Sequence, residues 1–122
     1  MGLSIKVQDF SATAELDHGK LLTTLVGNAD QGVREALDDF LCKVHDEASS
    51  HSVHEVVVDL RSVEFMNSGC LKAFVTWIFV ARELPSGARY KIVLLSHPDI
   101  LWQRRSVQAL SCVATDLVKI QA

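Results

Sequence analysis

The chain has 122 residues, 48% hydrophobic and 22% charged, which suits one domain built around a single core. Its formal net charge of −3 leaves no basic surplus for non-specific binding to nucleic acid or to an anionic membrane surface. The longest near-continuous apolar run, Ala73 to Ala81, is interrupted by Thr76 and is too short to span a bilayer.

No basic-then-apolar segment opens the chain, so no leader peptide is expected. Ser4 to Phe10 alternates around Ile5 and Val7 and predicts an edge strand. Asp17-His18-Gly19 predicts a turn and Lys20 to Val26 a second strand, the two strands forming a hairpin. Gly27-Asn28-Ala29-Asp30 closes it, with Asp30 placed to cap the next helix. Val33, Ala36, Leu37, Phe40, Leu41, Val44 and Ala48 then recur at helical spacing. Ser49 to His54 is a polar connection. His51 and His54 have no Cys or acidic partner at ligand spacing, so they read as solvent-exposed and no metal site is expected.

Val56, Val57 and Val58 predict a strand buried on both faces. Asp59 and Arg61-Ser62 loosen it, and Val63 to Met66 lead into a new element. Asn67 is a strong N-cap residue, and Leu71 to Leu84 holds no Gly or Pro and has helical apolar spacing. Ser68 therefore falls in the first turn of a helix. Backbone amides there lack intrahelical acceptors and the dipole favours negative charge, so a phosphate on Ser68 would be tolerated.

Pro85-Ser86-Gly87 predicts a loop and Tyr90 to Leu95 a buried strand. His97-Pro98 opens a third helix carrying Leu101, Trp102, Val107, Leu110 and Val113, with Arg104-Arg105 as its solvated edge. Asp116 to Ile120 forms a last strand. The expected order is β-β-α-β-α-β-α-β in one α/β domain over 1–122. Right-handed crossovers would cover a mixed sheet with helices. Cys42, Cys70 and Cys112 are odd in number and lie in apolar helical contexts, so reduced core thiols in a cytoplasmic protein are expected.

The central helix can be projected at about 100° per residue. Cys70, Ala73, Phe74, Trp77, Ile78, Val80 and Ala81 fall on one broad arc, which is assigned to the core. Lys72, Thr76, Arg82 and Glu83 lie opposite, and Val75 and Phe79 fall among them on the Ser68 side. Two apolar side chains on a polar face suit either a partner contact or cover by a neighbouring loop or by the second subunit of a homodimer. The enzyme case is weak. There is no phosphate-binding loop, no Cys/His metal spacing, and no G-x-S-x-G, since Met66 occupies the place of the first glycine. No catalytic activity and no cofactor are expected.

The text Asp59-Leu60, Val63, Phe65-Met66-Asn67-Ser68-Gly69-Cys70-Leu71 resembles the signature of STAS domains, the bacterial anti-sigma-factor antagonists and their relatives. The usual family text is close to D-L-x-x-V-x-F-M-D-S-S-G-L. Asn67, Gly69 and Cys70 depart from it, standing where Asp, Ser and Gly are usual. Gly27 to Asp30 is similar to the Gly-Glu-Leu-Asp of that family, keeping its Gly and its Asp. The resemblance implies a STAS-like single domain with a mixed sheet and covering helices. It implies that Ser68 accepts a phosphate, with Asp30, Asn67 and Gly69 around it. Lys72, Val75 and Phe79 are the expected partner-contact residues.

The implied function is partner switching. The unmodified protein binds a serine kinase that doubles as an anti-sigma factor. That kinase phosphorylates the serine and is released, and a metal-dependent serine phosphatase resets the cycle. Asn67 removes the neighbouring negative charge that the usual Asp would present to a phosphate and keeps the cap. Two other readings stay open: a scaffold subunit of a larger signalling assembly in which Ser68 is never modified, and a small-ligand or nucleotide binder.

Overall fold

A computed structural model describes residues 2–30, 32–85 and 87–121. Ser86, in the expected loop between Pro85 and Gly87, lies outside them. Nine elements follow one another: β1 (Gly2–Val7), β2 (Phe10–Asp17), β3 (Lys20–Ala29), α1 (Arg34–Ser50), β4 (Glu55–Met66), α2 (Ser68–Arg82), β5 (Lys91–Leu95), α3 (Leu101–Val113) and β6 (Val118–Gln121). The six strands form one sheet in sequence order. β1, β2 and β3 are antiparallel, and β3 through β6 are parallel neighbours joined by the three helices. The mixed α/β architecture expected from the sequence is therefore present, with six strands instead of five.

The additional strand corrects the start of the chain. Ser4–Phe10 is not one strand but the end of β1, a turn with Gln8 at φ 54°, and the first residue of β2. The hairpin across Asp17-His18-Gly19 joins β2 to β3. Phe10-Ser11-Ala12-Thr13-Ala14 has weak strand propensity, because alanine and serine offer little side chain to a pleated surface. Its alternation is nonetheless regular, with Phe10, Ala12 and Ala14 buried.

Inward-facing side chains of the strands, among them Leu21, Leu25, Val56, Val58, Leu60, Ile92 and Leu94, share one core with all three helices. α1 contributes Leu37, Phe40, Leu41 and Val44, and α2 contributes Cys70, Ala73, Phe74, Trp77, Ile78 and Ala81. β4 runs on to Met66, but it loosens after Asp59 as expected: its pairing with β5 ends there and its register with β3 shifts between Thr24 and Val26 and again after Gly27. The Asp59 carboxylate pairs with Arg61 at 2.9 and 3.0 Å, while Leu60 and Val63 remain in the core. α3 begins at Leu101, later than His97-Pro98. The buried Gln103 side chain ties it to the β4 carbonyls of Leu60 and Val63 at 2.6 and 3.0 Å, which satisfies carbonyls exposed where β4 outruns β5.

Two cysteine expectations are corrected. Only Cys70 is buried; Cys42 and Cys112 lie on the outer faces of α1 and α3. Val80 is also not core and is 44% exposed. α1 packs on α2 but leaves an open groove of about 340 Å³ between them, lined by Leu41, Trp77, Thr76 and Val80. His51 and His54 are exposed, as expected.

Candidate functional site

The end of β4 delivers the chain to α2 through a single capping residue. Asn67 has extended backbone, with φ −78° and ψ 169°, and its Oδ1 accepts from the Cys70 amide at 2.9 Å. Its own amide donates to the Ala29 carbonyl at 2.9 Å. The cap thus fixes the helix start against the end of β3 and leaves the first two helical amides, those of Ser68 and Gly69, without intrahelical acceptors. Ser68 is the first helical residue and is exposed.

Asp30 lies where it can bear on this turn, but it does not cap α1. The helix begins behind Val33 with no side-chain cap. Asp30 Oδ1 accepts instead from the Gly32 amide at 3.3 Å, and its carbonyl accepts from the Cys70 thiol at 3.6 Å. Burial, with help from the Asp30 charge, raises the Cys70 thiol above its ordinary pKa. Cys70 therefore packs as a neutral thiol and not as a nucleophile.

One participant had no sequence signal. Arg34, the first residue of α1, reaches over the start of α2. A Cβ on Gly69 would stand 3.4 Å from Arg34 Cδ and 3.7 Å from Nη1. Among the described residues the guanidinium makes one ion pair, exposed, with Asp38 at 3.6 Å, which is weak and easily exchanged. The first turn of α2 thus combines an exposed hydroxyl, two amides free of intrahelical acceptors and a nearby cation.

The outer face of α2 continues from Ser68. Lys72 is exposed, Phe79 is 50% exposed, and Val75 is half-buried against the core. Phe79 and Lys72 match the projected polar face, whereas Val75 is partly a packing residue. Phe65, at the end of β4 beside Asn67, is 48% exposed, whereas Phe79 lies about three turns further along α2. Among the described residues no group of three His, Cys, Asp or Glu side chains could hold a metal, and no helix is long and apolar enough to cross a membrane.

No protein-family model and no curated protein sequence matches the chain. Solved structures do. An anti-sigma factor antagonist from Mycobacterium paratuberculosis aligns over 94% of this chain and 90% of its own, with a TM-score of 0.66 and 18% identity. The protein TM1081 aligns over 88% of this chain and 78% of its own, with a TM-score of 0.61 and 18% identity. The two alignments span most of each chain, so this chain has the STAS-like fold of these structures.

Proposed function

We propose that the chain is a non-enzymatic, phospho-regulated partner switch of the anti-sigma-factor antagonist type. In this reading it binds a serine kinase that acts as an anti-sigma factor, and Ser68 is the residue that kinase modifies. The observation that carries the reading is the position of Ser68: exposed, first in α2, and on the same face as Lys72 and Phe79. The fold shared with an anti-sigma factor antagonist supports it.

The physics of the switch follows from charge. Phosphorylation adds about −1.5 to −2 charges. Within the domain, that charge meets the Ser68 and Gly69 amides, the positive end of α2 and Arg34, so the modified protein stays folded. Within a complex, the same charge stands at the edge of a contact centred on Phe79. It would there have to be desolvated, and partner binding is lost. A serine phosphatase would restore the binding form.

Incubation with the cognate kinase and ATP, followed by peptide mass mapping, tests the assignment. Phosphate on Ser68 and its loss in Ser68→Ala are expected. Phosphate found only elsewhere, for instance on the exposed Ser62, would overturn it.

A further inference from the structure

We infer that the outer surface of α2 and α3 is a docking site for an acidic segment of a partner protein, one that carries apolar anchors among its carboxylates. The partner's identity rests on the partner-switch reading; the surface rests on the charges of this chain. The three helices divide those charges unevenly. α1 holds five acids, among them Asp39 and Asp46, against two bases. α2 and α3 hold no Asp or Glu and carry Lys72, Arg82, Arg104 and Arg105, all exposed. Among the described residues none of these four cations makes an ion pair.

Helical geometry puts Ser68, Lys72, Val75, Phe79 and Arg82 on one stripe about 80° wide. Ala73, Thr76, Trp77 and Val80 turn toward α1 and line the groove there, so the stripe lies outward and on the side of α3. Arg82 Nη1 donates to the Val113 carbonyl at 3.5 Å, which brings the C-terminal ends of α2 and α3 together. Both helices return the chain between parallel strands, so they run the same way. Stepping back from Arg82 to Lys72, about 15 Å along the axis, therefore reaches the level of Gln103 on α3. Arg105 stands about 200° from Gln103 and from Val107, both buried, and so points out of the helical layer. Leu101, one turn before it, is 69% exposed. Lys72 and Arg105 thus mark the Ser68 end of the surface and Arg82 its far end, with Phe79 exposed between them. The acids that adjoin it in the chain are Asp99, before α3, and Glu83, after α2, one at each end.

Charge selects the occupant. Opposite charge across an interface steers association and like charge resists it. Unpaired cations around exposed aromatic and aliphatic side chains fit carboxylates and apolar anchors. An anionic membrane fits less well. α2 lies between α1 and α3 in one layer, and a flat anionic surface on that layer would also press on the acids of α1. A discrete segment can follow α2 and α3 alone. Ser68 shares the stripe with Lys72, four residues on, which is the spacing of neighbours on a helix surface. A phosphate there adds about −1.5 to −2 charges beside the cation that a partner carboxylate would meet. The acidic segment is then repelled, so the switch acts by like charge as well as by desolvation.

A synthetic peptide of Glu interspersed with Leu and Phe, titrated into the isotope-labelled chain at low salt, tests the surface by amide NMR. Shifts at Lys72, Phe79 and Arg105 are expected, and a peptide with Lys in place of Glu should leave those amides unmoved. The kinase tests the partner. Its affinity should fall about tenfold in Lys72→Glu and in Arg105→Glu, both melting as the parent does, and by less than about twofold in Asp39→Lys on α1. Lys72→Arg should bind as the parent does. Raising salt from ~50 to ~500 mM should narrow the parent's advantage over both reversals, because exposed charges are screened. An acidic peptide that moves no amide of α2 or α3, or a kinase that binds both reversals as tightly as the parent, overturns the inference. So does binding to phosphatidylglycerol vesicles that Lys72→Glu abolishes, which would make a membrane the occupant. A kinase that does not bind the parent at all, with the peptide shifts as expected, overturns the partner-switch reading and supports the surface.

Discussion

Arg34 of α1 lies against Gly69 of α2, its Cδ 3.4 Å from where a Gly69 Cβ would stand. This places a guanidinium from one helix beside the start of another, next to the exposed Ser68. Among the described residues the group's one ion pair is with Asp38, at 3.6 Å. Arg34→Ala should therefore change stability by no more than about 0.5 kcal/mol. Its effect should appear once Ser68 is phosphorylated. A phosphoserine has its second pKa near ~6, and a neighbouring cation lowers it by favouring the dianion. Titration by phosphorus NMR should show the phosphate pKa rising by a few tenths of a unit in Arg34→Ala. An unchanged titration would show that Arg34 does not reach the phosphate.

Phe74 and Trp77 are buried in the core, whereas Phe79 is half-exposed on the Ser68 face. Phe74→Ala and Trp77→Ala should each cost about 3–5 kcal/mol of stability through lost burial and the cavity left behind. Phe79→Ala should melt near the parent and instead weaken the kinase complex by about 2 kcal/mol, as expected of an aromatic anchor at an interface. Melting of all three variants, with kinase titration of Phe79→Ala, checks this. Unchanged affinity for Phe79→Ala would remove it from the contact.

Tyr90 sits at the centre of a buried polar chain. Its hydroxyl accepts from Trp77 Nε1 at 2.9 Å and lies 2.7 Å from His45 Nδ1. Burial pushes its pKa above the ordinary 10.0, only partly offset by the Trp77 bond. A group whose pKa is raised on folding stabilises fully below its unfolded value, and that contribution is lost as pH rises past it. Stability should thus be insensitive to Tyr90 up to about pH 10 and fall beyond it. Tyr90→Phe should abolish that alkaline fall. It should also cost about 1–3 kcal/mol at neutral pH, by leaving the Trp77 indole unpaired. Denaturant melts of parent and variant between neutral pH and 11 measure both effects.

Gly27 has φ 106°, and a Cβ there would stand 1.7 Å from the Asp9 carbonyl oxygen. The β1–β2 turn closes onto β3 at this point, with the Asn28 amide donating to that same carbonyl at 3.2 Å. Both the backbone angle and the space require glycine. Gly27→Ala should destabilise by more than about 2 kcal/mol, because the φ penalty and the displaced turn add. Near-parent melting would show that the turn can move away freely.

Much of this protein was legible in local pattern. Three valines at 56–58, the Asn67 cap and the apolar spacing from Leu71 placed the central strand and helix. They also placed Ser68 at the junction, because caps and periodicity are properties of neighbouring residues. Asp17-His18-Gly19 gave the hairpin turn for the same reason. Tertiary structure decided what depends on the distance between elements. Helical projection put Val80 in the core, but α1 stands far enough away to leave a groove there. Arg34 and Gly69 are 35 positions apart in the chain, and their meeting follows from how α1 crosses α2. Phe10–Asp17 became a strand through pairing with β1 and β3 on either side, which outweighed the low strand propensity of its alanines. Leu22 and Val57 are likewise neighbours only because the β3–β4 register sets them side by side.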